Sequence, residues 1–247
     1  MNKLNDFFQF INNIIISERE LMSKLLLLRN ALRVALQDAE FKLGCVENII
    51  MSMETAKNNN IIWQMPNMFS GKDDQFSVRV VYWPAFYHNN PHQHKTWSVT
   101  GVLSNQINIA TYQFLENEKL KQDKSMMASI GEVGYLVPGC IHSVSNPTHE
   151  VSASLHIFNN VNPLYPEENA IWYPAPRKYN LSKGLLERAL TVCLDLIDSN
   201  DLEQSFNLIQ RIYLLSPIAL KFRAIHKMYQ YDKIYAKNCY SALETTF

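Results

Sequence analysis

The stretch PHQHKTWSVTGVL, residues 91–103, decides the fold because it joins two closely spaced histidines to a strand-like run. His92 and His94 stand two residues apart, and side chains at that spacing point to the same face of an extended strand. Two imidazoles on one face can hold a single transition metal ion. Taken alone, the pair is also compatible with ordinary surface histidines, so a second signal is needed.

That signal comes from GYLVPGCIHSVSN, residues 134–146. The pattern predicts a strand, a tight turn at Pro138 and Gly139, and a second strand that carries His142. A third strand histidine is a further candidate ligand for the same metal ion.

The order of these features resembles the cupin superfamily, in which two strand histidines precede a Pro-Gly turn and a third histidine. The second cupin motif, G-x5-P-x-G-x2-H-x3-N, is nearly met: Gly134 stands two residues after the motif position, which Glu132 occupies. The resemblance implies a mainly β fold, the cupin double-stranded β-helix (a small jelly-roll barrel), with N-terminal helices and a C-terminal helical extension. It also implies three metal ligands: His92, His94 and His142.

The residues after the histidine pair narrow the resemblance. Most metallocupins carry a glutamate ligand there, but residues 95–99 read Lys-Thr-Trp-Ser-Val. A three-histidine cupin without this glutamate resembles the thiol dioxygenases, namely cysteine dioxygenase and bacterial 3-mercaptopropionate dioxygenase. The runs at 76–103, 137–146 and 151–158 also resemble segments of the bacterial members. The resemblance implies an Fe(II) cofactor and oxidation of a small thiol by O2 to a sulfinate.

The same resemblance assigns the residues around the metal. The Ser-His-Tyr set of the family falls on Ser154, His156 and Phe158, so Ser154 and His156 are the expected catalytic groups. Phe158 lacks the tyrosine hydroxyl, and losing such a hydrogen bond is worth roughly 1.5–3 kcal/mol. The substitution therefore puts efficient turnover of the usual thiols in doubt.

Substrate contacts are less sharply defined by the sequence. Trp97 and Phe158 are expected to line the pocket, and Gln64 is the preferred partner for a substrate carboxylate. Arg79 is the other candidate, although strand alternation can place it outward. Cys140 either reaches the metal or packs as a small apolar residue, and packing is the favoured interpretation.

The rest of the chain divides into three zones. Residues 1–56 are predicted to be a helical segment packed on the barrel, since leucines from Leu21 to Leu36 recur at steps of three and four. Residues 57–178 form the predicted barrel, with β-branched and aromatic runs between Asn, Gly and Pro turns. Residues 179–247 are the predicted helical extension, with two or three antiparallel helices, one of which starts at Pro217.

Composition limits the partners and the compartment. The 247 residues include 23 Lys plus Arg and 23 Asp plus Glu, and this balance argues against nucleic acid as the main partner. No apolar run is long enough for a membrane span, and four scattered cysteines fit a cytoplasmic protein. The expected partners are a small thiol and O2, and the oligomeric state is left undecided.

Two other functions stay open. Phe158 and the extra C-terminal helices are compatible with a divergent cupin oxidase that acts on a modified cysteine-like substrate. The chain can also be a non-catalytic metal-binding cupin whose helical extension binds a protein partner.

Overall fold

Strands in the middle of the chain form two antiparallel sheets. The computed structural model describes residues 3–115, 119–160, 170–173, 184–198 and 201–245. The strands found within these ranges are β1 (Phe69–Ser70), β2 (Phe76–Trp83), β3 (His92–His94), β4 (Ser98–Ser104), β5 (Gln106–Phe114), β6 (Leu120–Ser129), β7 (Val133–Leu136), β8 (Ile141–Ser145), β9 (Ser152–Asn159) and β10 (Ala170–Trp172). Many are rich in β-branched and aromatic residues, which fit a pleated, half-buried surface.

The strand order of each sheet identifies the fold. The first sheet runs β1-β2-β9-β4-β7, and the second runs β10-β3-β8-β5-β6. Strands β2 to β5 alternate between the first and second sheets. From β6 to β9 they alternate again, beginning in the second sheet and ending in the first. This is the jelly-roll arrangement that cupins share. The predicted fold, a small jelly-roll barrel with helices at both ends of the chain, is confirmed.

The two faces of the first sheet have different chemistry, as β9 illustrates. Its outward residues, which are fully buried against the helices, are Ala153, Leu155 and Ile157. The residues between them lie on the inner face of the barrel: Ser154, His156 and Phe158. The period of two along the strand therefore separates an apolar core on one side from a partly polar barrel interior on the other.

Helices at the N-terminus cover the outer face of the first sheet. They are α1 (Lys3–Ser17), α2 (Leu21–Ala35) and α3 (Ala39–Asn58). The predicted apolar face of α2 is buried, with Leu25, Leu28 and Leu32 at 0% exposure. The helix lies close to β4 because Gly101 has no side chain: a Cβ there would be 2.4 Å from Leu36 Cδ1.

The C-terminal helices complete the same core. They are α4 (Leu185–Leu196), α5 (Leu202–Leu215), α6 (Ile218–Met228) and α7 (Lys233–Glu244), and α6 begins after Pro217 as predicted. Arg211 on α5 donates two hydrogen bonds, of 2.9 and 2.7 Å, to the Glu54 carboxylate on α3. None of the helices in the described ranges combines the length and apolarity needed to cross a bilayer.

Candidate metal centre

Two neighbouring strands of the second sheet bring three histidines together. His92 and His94 flank Gln93 on β3, and His142 on β8 lies directly opposite His92 in the antiparallel register. One ring nitrogen from each histidine lies within 4.8 Å of those of the other two. The structure therefore juxtaposes all three residues that the resemblance assigns to the metal.

Backbone contacts orient two of the three rings. Nδ1 of His92 lies 3.1 Å from the Asn90 carbonyl oxygen, and Nδ1 of His142 lies 3.2 Å from the Cys140 carbonyl oxygen. A carbonyl oxygen only accepts hydrogen bonds, so in each neutral ring Nδ1 carries the hydrogen and donates. Each Nε2 then keeps its lone pair and can bind a metal ion.

Burial keeps the three rings neutral. Desolvation lowers the pKa of His92, and it lowers the pKa of His142 well below the usual histidine range. Burial, followed by the nearby His92, lowers the pKa of His94 to about 4. Neutral imidazoles are the form that binds metal.

The donor set fits a mononuclear transition metal site. In the described part of the chain, no carboxylate and no thiol joins the three histidines. Imidazole nitrogens suit iron, zinc, copper and nickel, whereas magnesium and calcium prefer oxygen ligands. The three rings could hold such a divalent ion and leave further coordination positions for small molecules.

Trp172 is a neighbour of the site that the sequence did not reveal. Strand β10 pairs with β3 so that Trp172 lies opposite His92. The two rings stack, with centroids 4.2 Å apart and an angle of 21° between their planes. Trp172 therefore restricts the rotation of a candidate ligand and shields it from water. No motif marks it, because β10 has only three residues.

Ser154 and His156 form the centre of a buried hydrogen-bond chain on the first sheet. Ser154 Oγ lies 2.7 Å from His156 Nε2, and Thr100 Oγ1 lies 2.9 Å from His156 Nδ1. The Trp83 indole donates to Ser154 Oγ at 2.8 Å. Burial, followed by Arg79 and His94, lowers the pKa of His156 to about 3. The ring is thus neutral, and each of its nitrogens has a hydroxyl partner.

Phe158 links this chain to the three histidines. Its ring stacks on His156, with centroids 5.0 Å apart and planes within 7°, and its centroid lies 6.3 Å from that of His94. No hydroxyl is available at this position to bond with the site. The phenyl ring instead forms an apolar wall between the hydrogen-bond chain and the candidate metal ligands.

Arg79 lies on the inner face of the barrel and not on its outer face. Its guanidinium carbon is 5.6 Å from the Phe158 ring centroid, and it lines the same cavity as the three histidines. Its Nη2 makes a long hydrogen bond of 3.4 Å to Ser77 Oγ, and its buried Nε has no hydrogen-bond partner among the described residues. Burial lowers the pKa of this guanidinium.

Three residues singled out by the sequence lie outside this cavity. Gln64, the preferred carboxylate partner, is exposed and does not line the cavity, whereas its neighbour Met65 does. Trp97 is buried in the core shared with the helices, because it falls on the outward face of the chain that leads into β4. Cys140 is half-buried and does not line the cavity.

Comparisons with known proteins give distant structural similarity only. No family model and no curated protein matches the sequence. Similar solved structures include an oxalate oxidase in complex with the substrate analogue glycolate, with 20% identity and a TM-score of 0.33 over 48% of this chain and 60% of that chain. The DMSP lyase DddQ from Ruegeria pomeroyi DSS-3 has 16% identity and a TM-score of 0.32, over 42% and 46%. A Cupin 2 conserved barrel domain protein from Salinispora arenicola CNS-205 has 18% identity and a TM-score of 0.29, over 36% and 67%.

The alignment thus spans 60% of the oxalate oxidase chain, and in all three comparisons it covers less than half of this chain. The strand order of the two sheets defines the fold, and the histidine cluster defines the kind of site. The chain folds as a cupin-type jelly-roll barrel with a three-histidine candidate metal centre.

Proposed function

We propose that the protein is an Fe(II)- and O2-dependent thiol dioxygenase-like enzyme that oxidises the sulfur of a small thiol, such as cysteine or 3-mercaptopropionate, to a sulfinate. The observation that carries the proposal is the neutral cluster of His92 and His142, which are buried, and His94, which is half-buried, with no carboxylate among them. The resemblance of the sequence to thiol dioxygenases supports the same assignment.

The reaction balances without an additional reductant. A thiol and O2 give a sulfinic acid, with both oxygen atoms on the sulfur. When bound by the three histidines, Fe(II) would lower the pKa of the substrate thiol and activate O2. The remaining tasks, which are substrate orientation, proton handling and exclusion of water, fall to side chains of the barrel interior.

Ser154 and His156 are the proposed proton-handling pair. Because a hydroxyl contacts each nitrogen of the neutral His156 ring, a proton can move between Ser154 Oγ and Thr100 Oγ1 while the ring stays uncharged overall. Phe158 holds the His156 ring by stacking. The indole of Trp83 fixes Ser154.

Arg79 is the proposed partner for the negative end of a thiol acid. It is a largely buried cation that forms no ion pair within the described ranges. An unpaired buried charge favours an anionic ligand, and a guanidinium can bind a carboxylate through two parallel hydrogen bonds. Arg79 lies beside Phe158 and lines the same cavity as the three histidines, so an anion bound there would share the cavity with the sulfur.

The first test is metal binding. We expect about one iron per chain after anaerobic loading with Fe(II), because three neutral nitrogen donors converge on one point. The His142→Ala variant should lose this iron, whereas His226→Ala, on α6, should keep it. Circular dichroism shows whether both variants retain the fold. If the folded wild type binds no iron, the metal assignment is wrong.

The second test is chemistry. Iron-loaded protein is supplied with cysteine or 3-mercaptopropionate, oxygen uptake is recorded, and the product is identified by mass spectrometry. A gain of two oxygen atoms on sulfur supports the proposal. No thiol-dependent uptake by protein that holds iron would favour a metal-binding role without catalysis.

Phe158 favours one alternative within the same class. Because the ring presents no hydroxyl, the site is also suited to a different oxidation of a modified cysteine-like substrate. The product mass distinguishes the two reactions: oxygen uptake without sulfinate formation favours the alternative.

A further inference from the structure

The cavity that contains the candidate metal centre is larger than a small thiol needs. The described residues line a space of about 1670 Å³. Ligand pockets commonly measure roughly 300–1,000 Å³, which already accommodates molecules much larger than cysteine. A small thiol at the histidines would leave most of this volume to water.

The extra volume extends toward the open side of the barrel. Strands β6 and β7 end their respective sheets, and residues from both line the cavity. On β7, Gly134 leaves a gap: a Cβ at this position would meet nothing within 4 Å. Past this edge the lining continues onto α2 at Arg29 and Arg33. The space therefore leads from the histidines, across the barrel interior, to the basic face of a helix.

The lining is strongly cationic in a chain whose net charge is zero. The cations are Arg29, Arg33, Lys42, Arg79 and Lys124, and Glu132 is the one acidic residue among the lining side chains of the described ranges. Within those ranges, none of the five forms an ion pair.

Local hydrogen bonds hold these charged side chains where the cavity passes the β7 edge and reaches α2. Arg29 and Arg33 stand one helical turn apart, so their side chains share a face. Nε of Arg29 donates to the Val133 carbonyl at 3.1 Å, which holds the guanidinium at the β7 edge. The Glu132 carboxylate accepts a hydrogen bond of 2.6 Å from the Ser129 backbone N–H. The unpaired arginines thus remain available to an incoming anion.

We infer that the barrel accepts a thiol on an extended arm that ends in an oxyanion, phosphate or carboxylate. The sulfur would lie at the three histidines and the anion at the cationic opening formed by Arg29, Arg33, Lys42 and Lys124. The sulfur chemistry rests on the proposed function, whereas the recognition of the anion does not. The inference widens the substrate class beyond small thiols.

Binding tests the anion without requiring catalysis. Isothermal titration calorimetry on the metal-free protein would compare 4′-phosphopantetheine with pantetheine, which has the same arm and thiol but no phosphate. We expect 4′-phosphopantetheine to bind at least roughly tenfold more tightly than pantetheine, because one additional charge-assisted hydrogen bond contributes about that much affinity. Glutathione, whose anions are carboxylates, distinguishes the two kinds of oxyanion.

Three variants locate the contact. Arg33→Glu reverses a charge at the opening, and Gly134→Leu fills the gap in β7, so each should abolish the preference for the phosphorylated ligand. Lys24→Glu makes the same charge change on α2 outside the cavity and should preserve it. Thermal unfolding of each variant verifies that it is folded.

The outcomes separate this inference from the proposed function. The inference is overturned if the wild type binds 4′-phosphopantetheine and pantetheine equally well and binds glutathione no more tightly than pantetheine. This holds even if small thiols are oxidised. A preference that survives both Arg33→Glu and Gly134→Leu also overturns it. A preference that these variants remove supports the inference even where iron-loaded protein oxidises no thiol, which would overturn the proposed function alone.

Discussion

Acidification should destabilise the metal-free protein because its barrel interior buries neutral histidines. Burial lowers the pKa of His94 to about 4 and that of His156 to about 3. In the unfolded chain a histidine titrates near pH 6.5. Each folded-state pKa lies below the unfolded value, so the unfolded state binds more protons as the pH falls. The stabilisation is therefore complete above about pH 6.5 and is lost progressively below it.

The magnitude follows from the proton linkage. At about pH 5.5, an unfolded histidine is protonated roughly ten to one while the buried ring stays neutral, which costs about 1.4 kcal/mol of stability per residue. His94 and His156 together cost roughly 3 kcal/mol. The pKa values of His92 and His142 are also lowered, so both act in the same direction. A total near 3 kcal/mol is a large part of the stability of an ordinary domain.

Urea unfolding in the presence of a chelator, at about pH 8 and about pH 5.5, measures this loss. The His156→Phe variant removes one of the titrating groups, so its loss between the two pH values should be smaller than that of the wild type by about 1.4 kcal/mol. Comparing these differences cancels titrations common to both proteins. Equal losses in wild type and variant would show that His156 is not held neutral, and the reasoning would fail.

Four substitutions test the contacts of the barrel and the role of Phe158. Trp83→Phe removes the indole hydrogen bond to Ser154 and should cost about 0.5–2 kcal/mol in urea unfolding; an unchanged midpoint would argue against that bond. Gly101→Val pushes a side chain into α2 and should lower the free energy of unfolding by about 1–3 kcal/mol. Gly134→Ala is the control, because its methyl group points into open space, and it should change that free energy by less than about 0.5 kcal/mol. Similar losses in the two variants would contradict the close approach of α2. Phe158→Tyr introduces the tyrosine hydroxyl that thiol dioxygenases have at this position, and the rate of oxygen uptake with a small thiol should rise about tenfold. A lower rate would mean that Phe158 suits a different substrate.

The strands of the barrel were predictable where one or both faces are buried. The β-branched and aromatic runs FSVRVVYW (76–83) and INIATYQFL (107–115) predict strands, and they correspond to β2 and β5 within a residue. Strand β6 was missed, because nearly all of its residues are exposed and its sequence, LKQDKSMMAS, has no apolar alternation. It is an edge strand, held by backbone pairing with β5, and backbone pairing leaves no pattern in the side chains.

Helix positions were predictable, but one helix start was not. Ser17 and Glu20 form a capping-box pattern before α2. In the structure, Ser17 Oγ instead donates to the Asn13 carbonyl at the end of α1. Glu20 is itself the N-cap, and its carboxylate accepts from the backbone of Met22 and Ser23. A carboxylate can replace the serine hydroxyl as the acceptor, and the motif alone does not say which of them will.

The histidine cluster was predictable because strand periodicity pairs His92 with His94 and the cupin resemblance adds His142. His92 and His94 share a face by their spacing, and the pairing of β8 with β3 puts His142 opposite His92. The orientation of Arg79 was not predictable, since β2 has apolar residues on both faces. What decides it is the helical layer, which covers Val78 and Val80 and leaves Arg79 inside. That layer is formed by segments distant in sequence from β2.

The placement of the helices explains how a polar site can exist inside this barrel. The buried core unites helices from both ends of the chain with the outer face of the first sheet, while the histidine ligands lie on the second sheet. Most of the buried apolar side chains therefore lie outside the barrel. The barrel interior has a smaller apolar cluster of its own, made of Trp83, Val102, Ile107, Ala128 and Val144, and it also holds cations, hydroxyls and imidazoles at a cost in stability. Inner residues of α4, such as Leu190 and Cys193, are fully buried in this core, so the C-terminal extension supports the barrel.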